Sequence, residues 1–263
     1  MHDFAYIFAG FLVGSVVGLT GVGGGSLMTP ILIFLFGIKP YLAVGTDLLF
    51  AAFTKMGGTV KLARARRVDW PVVRKLCAGS IPASLITLYL LHRLGPADPG
   101  VQSAMTTTLG LALLLTAGAT LYKALRGKTS PKEVLAGQEH SAVTPRHWSL
   151  PLLFGAFIGS LVTLTSVGAG AIGVTVLMLL YPRLPLSRIV AADIAYAVPL
   201  TLVAGFGHAS MGSVDWHMLA LLLTGSLPGI WVGSHWMTKT PERLIRSILS
   251  LLLAYAGFKL IAL

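Results

Sequence analysis

The chain has 263 residues, 55% of them hydrophobic and 11% charged, with a mean hydropathy of +0.80. A soluble domain carries roughly a quarter charged residues, so the composition excludes an ordinary soluble domain and leaves a polytopic helical membrane protein. The formal net charge of +11 falls between apolar segments, which fits cytoplasmic loops facing anionic lipid better than a nucleic-acid surface.

Ten apolar segments follow in chain order, at 5–20, 26–37, 40–60, 71–92 and 101–122, then 150–165, 171–182, 188–207, 217–237 and 244–262. The stretch 123–147 is polar, holds two prolines, and reads as a solvated linker between two sets of five. Apolar runs of about 20 residues suffice to cross a bilayer core about 30 Å thick. The second and seventh segments are too short for that. The N-terminus lacks the basic start and cleavage site of a signal peptide, so residues 1–20 are expected to be retained. Cys77 is the single cysteine, which excludes an intrachain disulfide and a thiolate metal site.

The first and sixth segments run into matching glycine-rich stretches. Residues 10–25 and 155–170 are identical at 9 of 16 positions, among them Gly10/Gly155, Gly14/Gly159, Thr20/Thr165, Gly23/Gly168 and Gly25/Gly170. At an offset of 146 the similarity continues: Asp47 matches Asp193, Val68-Asp69-Trp70 matches Val214-Asp215-Trp216, and Gly79-Ser80 and Pro82 match Gly225-Ser226 and Pro228. Runs of Asp-Trp and Gly-Ser-x-Pro are not chance identities of an apolar chain. The expected organisation is a first membrane repeat at 1–122, a cytoplasmic linker at 123–147 and a second membrane repeat at 148–263.

Cytoplasmic loops are enriched in Lys and Arg. If each glycine-broken pair made one crossing, the repeats would be parallel and the basic residues would divide 12 inside to 7 outside. If each pair were a re-entrant hairpin, the repeats would be inverted and the division would be 16 to 3, with Lys39, Arg93 and Lys259 outside. The expected fold is therefore all-α and polytopic, with two inverted repeats. Each repeat would hold a glycine-broken re-entrant hairpin plus three transmembrane helices, and both termini would lie outside. The 61–75 loop is strongly basic while its mate at 207–215 has no Lys or Arg, as mates on opposite faces should be.

Irregular backbone at membrane depth is tolerated only where it is buried in protein or lines a wet cavity. A helix restarting after each break would present free N–H groups and a partial positive charge at the hairpin tip, which suits an anion. The candidate substrate-binding residues are Thr20, Gly23, Gly24, Gly25 and Ser26 in the first tip, and Thr165, Ser166, Gly168 and Gly170 in the second. The alternative for such glycines is close helix packing, which suits Gly10, Gly14 and Gly18, and Gly225, Gly229 and Gly233. Asp47 and Asp193 are candidates for proton coupling; the alternative is helix capping near a helix start. Lys55, two turns beyond Asp47, is a candidate for attracting an anion, or a side chain that snorkels to the interface. His208 reads as interfacial. Asp69 and Asp215 read as caps, and Trp70 and Trp216 as interfacial anchors. Pro82 and Pro228 interrupt the third span of each half. Nothing in the pattern resembles a zinc, nucleotide or Ser/His/Asp site, so no enzyme activity and no cofactor are expected.

The pattern Gly-Leu-Thr-Gly-Val-Gly-Gly-Gly-Ser-Leu-Met-Thr-Pro at 18–30, Ala-Val-Gly-Thr-Asp at 43–47, Val-Asp-Trp at 68–70 and Gly-Ser-Ile-Pro at 79–82 resembles the TauE/SafE family of membrane permeases. So does Ala-Asp-Ile-Ala-Tyr-Ala-Val-Pro-Leu-Thr-Leu-Val-Ala-Gly at 192–205. The resemblance covers all but the linker. It implies a multi-pass protein of the bacterial inner (cytoplasmic) membrane that exports sulfite, sulfonates such as sulfoacetate, or related small sulfur-containing anions. Many members have a neutral Ser or Asn after the Thr of the Gly-Thr motif; this chain has Asp47 there, and Asp193 in the second half. The expected partners are a small anionic substrate and the lipid bilayer, with no nucleic acid and with homo-oligomerisation left open. The other function classes to weigh are a passive anion channel and a membrane-embedded partner or insertion protein without transport.

Overall fold

A computed structural model describes residues 2–20, 26–126, 149–182, 184–236 and 242–262. Among the described residues there are ten helices and no strands. They are α1 (His2–Thr20), α2 (Met28–Phe36), α3 (Pro40–Arg64), α4 (Trp70–Leu94), α5 (Pro99–Arg126), α6 (Leu150–Thr165), α7 (Ala171–Leu180), α8 (Leu186–Ser210), α9 (Trp216–Trp236) and α10 (Glu242–Ile261). Each falls on one of the ten apolar segments. The 123–147 linker lies outside the described residues apart from the last turn of α5.

Local chemistry sets the boundaries. Pro40, Pro71 and Pro151 occupy first-turn positions of α3, α4 and α6, where a missing N–H costs nothing. Asp215 caps α9, accepting the Met218 N–H at 2.9 Å. Asp69 precedes α4 but makes no side-chain cap, contrary to its expected role. Trp70 and Trp216 are 51% and 56% exposed, as interfacial anchors should be. Pro82, Pro199 and Pro228 lie inside α4, α8 and α9. Three stretches, Pro99–Leu121, Leu186–Ser210 and Trp216–His235, are apolar and long enough to cross a membrane by length and composition. Together with the large hydrophobic side chains left exposed on α4, α5, α9 and α10, they make this a multi-pass membrane fold.

The dominant packing crosses between the halves. Gly10, Gly14 and Gly18 of α1 lie against the backbone at Leu222, Ser226 and Ile230 of α9. Reciprocally, Gly225, Gly229 and Gly233 lie against Ile7, Phe11 and Ser15. A Cβ at any of these glycines would run into the facing carbonyl, so their absence of side chain is what brings the two backbones together. Numbers rise together on both helices, so α1 and α9 run parallel. The mate contact repeats this. Gly155 and Gly159 of α6 lie on Leu76 and Ser80 of α4, also in parallel, and Ser84 and Thr163 share a 2.7 Å hydrogen bond further along.

The mates α3 and α8 meet in the centre and run antiparallel. Gly45 faces His208, Leu49 faces Gly205, and the Thr59 hydroxyl donates to the Ile194 carbonyl at 3.4 Å. The mates α5 and α10 are likewise antiparallel, with Gly110 against Ile261 and Gly257 against Leu114. The largest core cluster, containing Leu48, Leu76, Ile158, Tyr196 and Leu200, is drawn from both halves.

Candidate functional site

The site is built where the second glycine break and the first turns of α2 and α7 approach α3 and α8. Gly23, Gly24 and Gly25 lie outside the described residues, as does the Thr20 side chain; Ser26 is half-buried immediately before α2. The second break is described. It turns away from α6 at Ser166, a non-glycine residue at φ 60° whose N–H donates to the Val162 carbonyl at 2.7 Å. Gly168 and Gly170 follow at φ 132° and 133°, conformations a side chain resists. The Thr165 hydroxyl donates to the Leu161 carbonyl at 2.6 Å and accepts the Val167 N–H at 3.1 Å, so it holds the break and is spent on the backbone. The Ser166 hydroxyl is buried and has no hydrogen-bond partner.

Asp47 and Asp193 each lie two turns inside their helix, 0% and 2% exposed. Helix capping is thereby excluded for both. Asp47 Oδ2 accepts the Thr29 hydroxyl at 2.5 Å, its Oδ1 has no hydrogen-bond partner, and Ser166 faces the same carboxylate. Thr29 is the second residue of α2. Across the site, a Cβ at Gly173, in the first turn of α7, would collide with Asp193 Oδ1. Both restarted helices therefore direct their N-terminal turns at the protein's own carboxylates, the charge those dipoles favour.

Lys55 completes the group. It is 7% exposed, its Nζ lies 3.5 Å from the Ala169 carbonyl in the second break, and it interacts electrostatically with both Asp193 and Asp47. The snorkelling alternative is thus overturned, because the ammonium points to the centre of the protein. Its one described hydrogen bond is long, and an ammonium has three donors. An incoming anion could use the remainder. Two acids, one cation, an idle hydroxyl and irregular backbone meet in one buried place.

A further polar seam was not legible in the sequence. His208 is fully buried, not interfacial, with Nε2 2.9 Å from the Thr163 carbonyl and Nδ1 without a hydrogen-bond partner. Thr163 in turn bonds Ser84. Three helices contribute one residue each, so no local pattern marks the seam. Among the described residues no group of three or more His, Cys, Asp or Glu is placed to hold a metal ion.

A family model described as sulfite exporter TauE/SafE matches residues 6–260. The chain belongs to the TauE/SafE family. Among its relatives, the probable membrane transporter protein YjnA of Bacillus subtilis is 35% identical over 258 residues, covering 97% of this chain and 98% of the relative. The probable membrane transporter protein YunE of the same organism is 28% identical, covering 95% and 97%. The probable membrane transporter protein MJ0441 of Methanocaldococcus jannaschii is 27% identical over 76% of this chain and 69% of the relative. No solved structure matches the chain. Family membership and the apolar helices together identify a multi-pass membrane transport protein.

Proposed function

We propose that the protein is a secondary transporter that exports a small sulfur-containing anion, sulfite or an organosulfonate, across the bacterial cytoplasmic membrane in exchange with protons. The observation that carries this reading is the burial of Lys55 between two carboxylates and a broken hairpin. An anion binds Lys55 Nζ, the Ser166 hydroxyl and the glycine-rich tips. Since Asp47 and Asp193 already occupy the favourable ends of α2 and α7, anion entry is compatible with them only when a proton neutralises a carboxylate. Like charges crowded in a buried site cannot all remain ionised, which links anion binding to proton binding.

The architecture proposed is two inverted repeats, 1–122 and 148–263, joined by a cytoplasmic linker at 123–147, with substrate near the bilayer midplane between them. The antiparallel course of the mates α3/α8 and α5/α10, together with the 16 to 3 charge division, supports inversion. Hairpin geometry is supported by the Tyr6 and Phe36 rings, 4.6 Å apart at the start of α1 and the end of α2. Lys259, near the end of α10, lies 4.8 Å over the Phe34 ring on that same side. In the second half, the Leu152 carbonyl near the start of α6 lies against Gly79 of α4, and Tyr181 after α7 feels the charge of Asp69 just before α4. Rocking of one helix group against the other gives alternating access.

The test is sulfite and sulfoacetate flux in proteoliposomes with an imposed pH gradient. Accumulation against the anion gradient, abolished by a protonophore, is the expected outcome. Flux only down the anion gradient would instead identify a passive channel.

A further inference from the structure

The α4–α6 seam carries a second feature, remote from the buried site. An open groove of about 400 Å³ is lined by Pro71, Arg74, Lys75 and Ala78 of α4 and Leu152 of α6. Its α4 residues recur at helical spacing along one face, in the first turns after the exposed Trp70. An exposed Trp at a helix start suits the membrane–water interface. The groove does not end at the basic pair. Beyond Ala78 the same face of α4 leaves Pro82, Leu85 and Tyr89 exposed. A cationic mouth thus opens onto an apolar track running toward the bilayer core.

Neither Arg74 nor Lys75 has an ion-pair partner among the described residues, and Asp69, the nearest acid in sequence, makes none with them. The internal repeat supplies a comparison. The mates of Arg74 and Lys75, 146 residues on, are Ala220 and Leu221, although the helix packing there is equivalent. The charge is therefore confined to one half. We infer that this groove is a binding site for an anionic phospholipid, with the headgroup phosphate on Arg74 and Lys75 and an acyl chain along Pro82 and Leu85. Basic recesses between transmembrane helices suit such headgroups. The assignment to the cytoplasmic leaflet rests on the inverted topology proposed above; the site itself does not.

The experiment is native mass spectrometry and thermal unfolding of the detergent-purified protein with phosphatidylglycerol, phosphatidylcholine or inorganic phosphate. Phosphatidylglycerol is expected to bind and raise Tm, while the other two leave it unchanged. The double variant Arg74→Gln/Lys75→Gln should bind phosphatidylglycerol about 30-fold more weakly, since each basic residue contributes about fivefold at an anionic surface. Its Tm without lipid should match the parent, because both side chains lie on the periphery. The control Lys61→Gln/Arg64→Gln should retain binding. Equal binding of phosphatidylcholine, a Tm rise produced by phosphate alone, undiminished binding in the groove variant, or equal loss in the control would each overturn the assignment. None of these readouts depends on anion flux, so failure here is separable from failure of the transport reading.

Discussion

The ammonium of Lys55, on α3, lies 3.5 Å from the carbonyl of Ala169, in the break between α6 and α7. The same ammonium interacts with both Asp193 and Asp47. Lys55→Met should therefore weaken anion binding by about 30-fold or more, since truncating one partner of a buried charge pair costs about 2 kcal/mol or more. Binding of sulfite to purified protein, by calorimetry or thermal shift, measures this. Unaltered affinity would remove Lys55 from the site.

The acids make a different prediction. Asp47→Asn and Asp193→Asn keep side-chain volume but cannot take up a proton. If anion and proton bind together, parent affinity rises as pH falls. The double variant should bind with a flat pH profile and retain exchange without gradient-driven accumulation. A parental pH profile in that variant would show that coupling resides elsewhere.

Ser166 holds φ 60°, where a Cβ is strained by about 1–2 kcal/mol. Glycine relieves that strain, so Ser166→Gly should raise Tm. The same change deletes an unspent hydroxyl that faces Asp47, so anion affinity should fall. Opposite signs for stability and binding are the expected signature of a functional residue. Gains in both would mark Ser166 as merely tolerated.

Gly14 and Gly118 separate packing from permissiveness. A Cβ at Gly14 would enter the Ser226 backbone, whereas one at Gly118 meets nothing within 4 Å. Gly14→Val is expected to destabilise by roughly 1–3 kcal/mol through overpacking. Gly118→Ala should stabilise by about 0.5–1 kcal/mol, the usual gain for a helix interior. Thermal unfolding in detergent reads both.

Cysteine accessibility tests the hairpins. Tyr6→Cys, Phe36→Cys and Gly212→Cys, in a Cys77→Ala background, should all label from outside intact cells, and Arg66→Cys only after permeabilisation. Labelling of Gly212→Cys from the cytoplasm would sink the inverted arrangement.

Helix positions were legible because a bilayer-spanning chain must satisfy its backbone within each segment, so apolar runs and their Pro or Gly ends mark the helices directly. The glycine stripes at 10–18 and 225–233 were legible as packing surfaces, but not as surfaces for each other. A stripe announces a close neighbour without saying which. Asp47, Asp193 and Lys55 were recognised as candidates from charge in apolar surroundings. Their convergence was not legible, since Thr29, Ser166 and Gly173 reach them from three other elements. The cap assigned to Asp69 failed although its mate Asp215 makes one, which shows that a shared motif does not guarantee a shared contact.

The exchange of partners between the halves has a consequence for how the molecule is made. Among the described residues α1 finds its glycine-matched surface on α9, which is synthesised some 200 residues later, and α4 waits for α6. The first half leaves the ribosome with its closest-fitting face uncovered, so a chain cut in the linker should yield two fragments that are stable only when produced together in one cell.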